Sequence, residues 1–297
     1  MDDRRWRTIV VWSSVNVHKQ YWTANKFMAR KKSLNLALCC YTLFAKRYSV
    51  ECSFIKERTL CFPAHRQVHS FSMTAMEDPV AKMGLPGPLI LGSGSFTRKL
   101  ILKEMGINFQ VIKRPIDEKS LGDRTSNPED LVLTLAKAKM DHLVNEIIAG
   151  RCDDELPKHA ASEWIVLTGD QVVVCDGSIL EKPDSVQEAK EFVSKYALTP
   201  PSTVGSCVIK HIPSGIQVEG VDTATIYFKQ ALNADELVDR LLASDAPILG
   251  CAGGLMVEHP FVREYLDRID GTEDSVLGLS KRLVLKLLDD LSAKLRS

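Results

Sequence analysis

No stretch of apolar residues near the start of this 297-residue sequence is long enough to span a bilayer; Leu34 to Cys40 is the longest there. No membrane is therefore expected among its partners. No charged segment followed by an apolar core and a small-residue cleavage site opens the chain, so a secretory leader is not expected and a cytoplasmic location is. The eight cysteines lack CxxC or zinc-ligand spacing, which argues against a disulfide framework and for free thiols in a reducing compartment. The phosphate-binding pattern GxxxxGK[ST] is missing. His159, His211 and His259 lie too far apart in sequence to suggest a metal triad, and no Ser–His–Asp arrangement is readable. Net charge is also missing: 38 basic residues balance 38 acidic ones, so no whole-chain field favours nucleic acid.

That balance conceals an asymmetry. Residues 1–72 carry 13 Lys or Arg against 4 Asp or Glu, a surplus of nine that the remainder offsets. Eleven of the 20 aromatic residues fall within residues 1–80, and no helical or alternating pattern persists there. This region is expected to be a poorly ordered extension, either dispensable or a targeting segment. A linker is expected from Asp78 to Pro88, leading into one folded domain over residues 81–297. A nucleic-acid-binding role would need a basic face on the folded part, which is acidic.

From Leu89 the pattern is α/β. Strands are expected near Leu89–Leu91, Asn108–Ile112, Trp164–Thr168, Val204–His211 and Thr223–Phe228. Helices are expected from the Gly-Ser loop to Gly106, from Asn127-Pro128 to Ile148, over Ser185–Tyr196 and Ala234–Leu242, and from about Leu279. Together they predict a mixed, mostly antiparallel sheet with helices over it.

Three features carry chemistry. Leu91-Gly-Ser-Gly-Ser-Phe-Thr-Arg-Lys99 leaves a strand and enters a helix, whose first N–H groups suit an anion. Ser93 and Ser95 add hydroxyls, Arg98 and Lys99 charge; the alternative is a glycine turn with solvated charges. Lys139 falls within the apolar stripe Val132, Leu135, Ala136, Leu143 and Ile147. It either snorkels outward or enters a pocket. Third, Asp176-Gly177 between apolar runs signals a two-residue hairpin. Extending that ladder puts Val172 opposite Glu181 and makes Asp170 and Glu181 diagonal neighbours, roughly 7–8 Å apart. Two such carboxylates hold a divalent cation, split into metal ligand and general base, or are solvated charges at a hairpin end. Asp117-Glu118 offers another carboxylate or a surface loop. Cys251, among the glycines of 250–254, is expected to pack rather than act as a nucleophile.

Taken together, these segments resemble the Maf family of nucleotide pyrophosphatases. The loop from Leu91 to Lys99 is similar to its S-x-S-P-R-R signature. Ile116-Asp-Glu118, Leu135-Ala-Lys-Ala-Lys139, Gly169-Asp-Gln-Val-Val-Val174, Leu180-Glu-Lys-Pro183, Ala252-Gly-Gly254 and Leu277-Gly-Leu279 follow in family order, over about Pro88 to Leu288. The resemblance implies a Maf/HAM1-like (ITPase-like) α/β fold: an elongated mixed sheet with flanking helices and two lobes around a central cleft, often as a homodimer. It implies hydrolysis between the α- and β-phosphates of a nucleoside triphosphate, with a divalent metal cation (Mg or Mn). Asp170 becomes the general base or metal-linked carboxylate, Glu118 and Glu181 metal or water ligands, and Ser93, Arg98, Lys139 and Lys182 phosphate contacts. Gln171 resembles the branch preferring 7-methyl-GTP, whereas Thr in its place would match dTTP/UTP members. A non-catalytic nucleotide-binding regulator of cell division is the alternative class. Phe96-Thr97 departs from the family's Pro-Arg, Thr134 from Arg and Ser280 from Pro.

Overall fold

The computed structural model describes residues 77–157 and 162–297; the expected extension up to Met76, and His159, lie outside the described residues. Elements run in the order α1 (Pro79–Lys82), β1 (Leu89–Leu91), α2 (Phe96–Glu104), β2 (Phe109–Val111), α3 (Pro128–Ile148), β3 (Trp164–Thr168), β4 (Gln171–Cys175), β5 (Ser178–Leu180) and α4 (Val186–Tyr196). There follow β6 (Ser202–Ile212), β7 (Gln217–Phe228), α5 (Ala234–Ala243), α6 (Pro260–Arg263), β8 (Leu266–Asp270), α7 (Glu273–Val276) and α8 (Lys281–Arg296). Among the described residues no helix is long and apolar enough to cross a membrane.

The eight strands form one mixed sheet, parallel at β2-β1-β3 and antiparallel elsewhere. Leu89, Leu91, Ile165, Leu167, Cys207 and Ile209 face one side, against Ile101 and Leu102 of α2 and Leu287, Leu288 and Leu291 of α8. Ile90, Val166 and Val208 face the other, against Ala136, Met140 and Leu143 of α3. Covered on both faces, these strands read as continuous apolar runs rather than alternating ones. A separate apolar cluster joins Val173, Cys175 and Leu180 to α4, α5 and α6.

Helix starts follow from capping side chains. Asn127 accepts from Glu129 N, Ser185 from Glu188 N, Asn233 from Glu236 N and Ser280 from Leu283 N. The segment Asp78–Pro88, expected as a linker, instead packs into the domain. Val80 is fully buried and Leu85 nearly so, while Asp78 caps α1 and accepts from Asn108 N. Sequence reasoning missed β8, because only Leu266 and Ile269 of its five residues are apolar.

Strand β6 organises the sheet. Its first residues pair with β4, its last with β3, and its other edge with β7. Thr168 pairs with Val208 and Gln171 with Gly205, three residues apart on both strands, so the register runs unbroken through Gly169-Asp170. A Cβ on Gly169 would lie 2.5 Å from the Ser206 carbonyl oxygen, so only glycine allows the approach. Asp170 N donates to Ser206 Oγ.

Candidate active site

Three parallel strands, β1, β2 and β3, end side by side, the position where open α/β sheets present ligand-binding loops. The Gly-Ser loop follows β1, Glu118 lies beyond β2, and Asp170 follows β3. Residues separated by up to 77 positions in sequence are thus delivered to one edge by topology.

In the loop, Ser95 caps α2 by accepting from Arg98 N, and its hydroxyl shares a hydrogen bond with Thr97 Oγ1. Arg98 is buried at 8% exposure. Its Nε donates to the Gly278 carbonyl at 2.9 Å, and Nη1 donates to the Gly169 carbonyl at 2.8 Å and to Ser93 Oγ at 3.3 Å. One guanidinium therefore joins the loop, the turn before Asp170 and the segment after α7. Burial pushes its pKa below the ordinary arginine value, while Asp170 pulls the other way. Nη2 has no protein acceptor among the described residues. Lys99 is half-buried, and its ammonium makes no hydrogen bond or ion pair among the described residues.

Lys139 enters a pocket. Its ammonium lies 2.5 Å from Asp170 Oδ1 and 3.1 Å from Glu118 Oε1, with the lysine side chain 16% exposed. Two hydroxyls set the helix register that puts it there. Thr168 Oγ1 donates to the Ala136 carbonyl and Ser206 Oγ to the Val132 carbonyl, clamping α3 onto β3 and β6. Ser206 also holds both main-chain groups of Asp170: its Oγ accepts from Asp170 N and its own N donates to Asp170 O at 2.9 Å. Asp170 is buried at 9% exposure, and Glu118 is open on its outer side.

The expected extension of the hairpin ladder to Val172 opposite Glu181 does not occur. The hairpin turns at Asp176-Gly177, both at positive φ, but the β4–β5 ladder stops at Val173 opposite Leu180. Beyond it the Glu181 carbonyl accepts from Gly253 N, so the chain leaves β4. Gly253 can make this approach because a Cβ there would meet Tyr196 Oη at 2.6 Å and Val173 Cγ2 at 2.8 Å. The Glu181 carboxylate instead pairs with Arg124 Nε at 2.8 Å. Arg124, which sequence reasoning missed, also donates to the Glu118 carbonyl and so ties the two acidic segments together. Lys182 is exposed. Gln171 Nε2 donates to the Val276 carbonyl at 2.8 Å, which turns its amide toward α7 and Gly278. Burial raises the Cys251 thiol to about 11, which suits packing rather than nucleophilic attack at neutral pH.

Ser206 and Arg124 carried no local signal; only the pairing of β6 with both β3 and β4, and the loop after Glu118, give them a place. Among the described residues no group of three His, Cys, Asp or Glu side chains is arranged to hold a metal ion. Asp170 and Glu118 are the two hard oxygen donors that converge, with a cation already between them.

The family model described as Maf-like protein matches residues 88–291. A 7-methyl-GTP pyrophosphatase of Dictyostelium discoideum is 38% identical over 205 residues, covering 69% of this chain and 98% of that protein. A nucleoside triphosphate pyrophosphatase of Corynebacterium diphtheriae is 32% identical, covering 67% and 92%. A dTTP/UTP pyrophosphatase of Geotalea uraniireducens is 29% identical, covering 64% and 88%. The chain belongs to the Maf-like protein family.

Proposed function

We propose that this protein is a nucleoside triphosphate pyrophosphatase that acts on modified nucleotides such as 7-methyl-GTP. Water adds to phosphorus, the bond between the α- and β-phosphates breaks, and the nucleoside monophosphate and pyrophosphate leave. The observation that carries the reading is the Lys139–Asp170–Glu118 cluster at the ends of three parallel strands, beside a helix N-terminus. The relatives' activities support the reaction class, and the 38% identity to a 7-methyl-GTP pyrophosphatase supports the base.

Asp170 is the group that takes the proton from water. Lys139 holds Oδ1, Ser206 fixes the backbone on both sides, and Oδ2 remains to accept. A base held this way loses little freedom when the reaction begins. The loop N–H groups with Ser93, Ser95 and Lys99, together with Lys182 on the exposed side, receive phosphate oxygens. Arg98 directs Nη2 to the same anion while its other donors keep the loop in place.

The residues fit a magnesium or manganese ion held with substrate rather than in an all-protein cage. Magnesium is bound through one or two carboxylates plus substrate phosphates, and Asp170 and Glu118 are two such carboxylates. Glu181, engaged by Arg124, is the third member of that set. When bound, the metal would neutralise the triphosphate and make water easier to deprotonate. A two-lobed, HAM1-like cleft, a homodimer, a cytoplasmic location and a separate extension over residues 1–80 belong to the same reading.

Pyrophosphate release by the purified chain with magnesium or manganese, across UTP, dTTP, GTP and 7-methyl-GTP, tests it. Preferred turnover of 7-methyl-GTP is expected. Preference for UTP or dTTP would overturn the base assignment, and no turnover of any nucleotide would overturn the reaction.

A further inference from the structure

Two neighbouring cations follow β2, and they are used differently. Arg114 pairs with Glu155 at 2.5 Å and also contacts the Arg151 carbonyl, so it is committed to the segment after α3. The Lys113 side chain, one residue earlier, makes no hydrogen bond or ion pair among the described residues, while its carbonyl accepts from Arg114 Nη1. Its side chain lies over the Gly-Ser loop: a Cβ on Gly94 would sit 3.3 Å from Lys113 Cδ and 3.6 Å from its Nζ. Gly94 is exposed, so the glycine here makes room for the lysine rather than for core packing.

The cations around this loop differ in what they can still offer. Arg98 spends Nε and Nη1 on two carbonyls and a hydroxyl. Lys139 sits between two carboxylates. Thr97, where the family signature has arginine, uses its hydroxyl within the loop. A triphosphate arriving at the N-terminus of α2 would therefore meet few uncommitted positive groups on the β1 side. Lys113 is exposed, carries three donors on a flexible stem, and starts from a fixed main chain, since Ile112 N donates to the Leu91 carbonyl.

We propose that Lys113 is a phosphate-binding residue of this site, reaching across Gly94 to contact an oxygen of the polyphosphate chain at the N-terminus of α2. This rests on the pyrophosphatase reading above and deepens it: the substrate's phosphates, rather than its base, are what Lys113 recognises. Its contact forms equally in the ground state and in the transition state, so it acts on KM more than on kcat.

The test compares Lys113→Met, Lys113→Arg and Gly94→Val with the native full chain, by steady-state hydrolysis of 7-methyl-GTP and by calorimetric binding of inorganic tripolyphosphate without divalent metal. Lys113→Met is expected to raise KM and weaken tripolyphosphate binding roughly tenfold, a change of about 1.4 kcal/mol, with kcat within about twofold. Lys113→Arg should recover most of both. Gly94→Val should resemble Lys113→Met, because a branched side chain takes the space the lysine stem occupies. Unchanged KM and unchanged tripolyphosphate binding in Lys113→Met would overturn the proposal while leaving the activity intact. If the native chain hydrolyses no nucleotide, the pyrophosphatase reading fails by itself; loss of tripolyphosphate binding in Lys113→Met would then still support Lys113 as an anion contact.

Discussion

Two groups of cations surround this end of the sheet. Arg98, Arg124 and Lys139 place donors on carbonyls, hydroxyls and carboxylates, with Arg98 keeping Nη2 free of them, and each links segments far apart in sequence. Lys99, Lys113 and Lys182 make no side-chain hydrogen bond or ion pair among the described residues; Lys113 and Lys182 are exposed and Lys99 is half-buried. The first group builds the site and the second offers charge to whatever enters it. The distinction follows from desolvation: a buried cation must be paired or hydrogen-bonded, whereas an exposed one keeps its water until a better partner arrives. Substitutions in the first group should therefore damage geometry and stability, and those in the second should damage affinity alone.

Lys139→Met breaks the comparison most severely. It leaves Asp170 and Glu118 facing each other without the intervening ammonium, and kcat is expected to fall by about 10³, measured as pyrophosphate release. Arg98→Met comes next. The Gly169 and Gly278 carbonyls lose a buried donor, so unfolding in urea should show a loss of about 3 kcal/mol. A smaller effect is expected from Ser206→Ala, which strips the Asp170 amide of its acceptor and frees α3 from one clamp. About 1 kcal/mol of stability should be lost, together with a lower kcat at unchanged KM. If KM alone moved, Ser206 would not act by positioning Asp170.

The smallest effect concerns Glu258, outside both groups. Burial is the main cause that raises its carboxyl pKa above the ordinary value. A raised carboxylate pKa means the folded state holds its proton more tightly than the unfolded chain does. Stability is then lost as pH climbs from the ordinary carboxylate value through the raised one, and the loss is constant above that. Glu258→Gln should raise the melting temperature at pH 7 relative to the native chain and lose that advantage at acidic pH, measured by thermal scans.

The sequence carried the local elements well where local chemistry decides. Trp164–Thr168 is a strand as expected, and Asn127-Pro128 starts α3. Asp176-Gly177 forms the turn. What depended on a distant partner was less legible. The number of ladder pairs after that turn is set by Gly253, which takes the Glu181 carbonyl, and not by the turn residues. Lys139 could have faced solvent or a pocket; Glu118 and Asp170, both brought by other strands, decide it. Arg98 was legible as a cation at a phosphate loop. Its bond to Gly278, 180 residues away, was not.

Asp170→Asn, examined for both turnover and nucleotide binding, tests the central claim most directly. Asn is nearly isosteric, keeps the Ser206 contacts of the main chain and cannot take a proton from water at neutral pH. The account predicts a fall in kcat of about 10² to 10⁴ with 7-methyl-GTP still bound. Turnover close to that of the native chain would contradict it, because Asp170 would then not be the base around which the site is built.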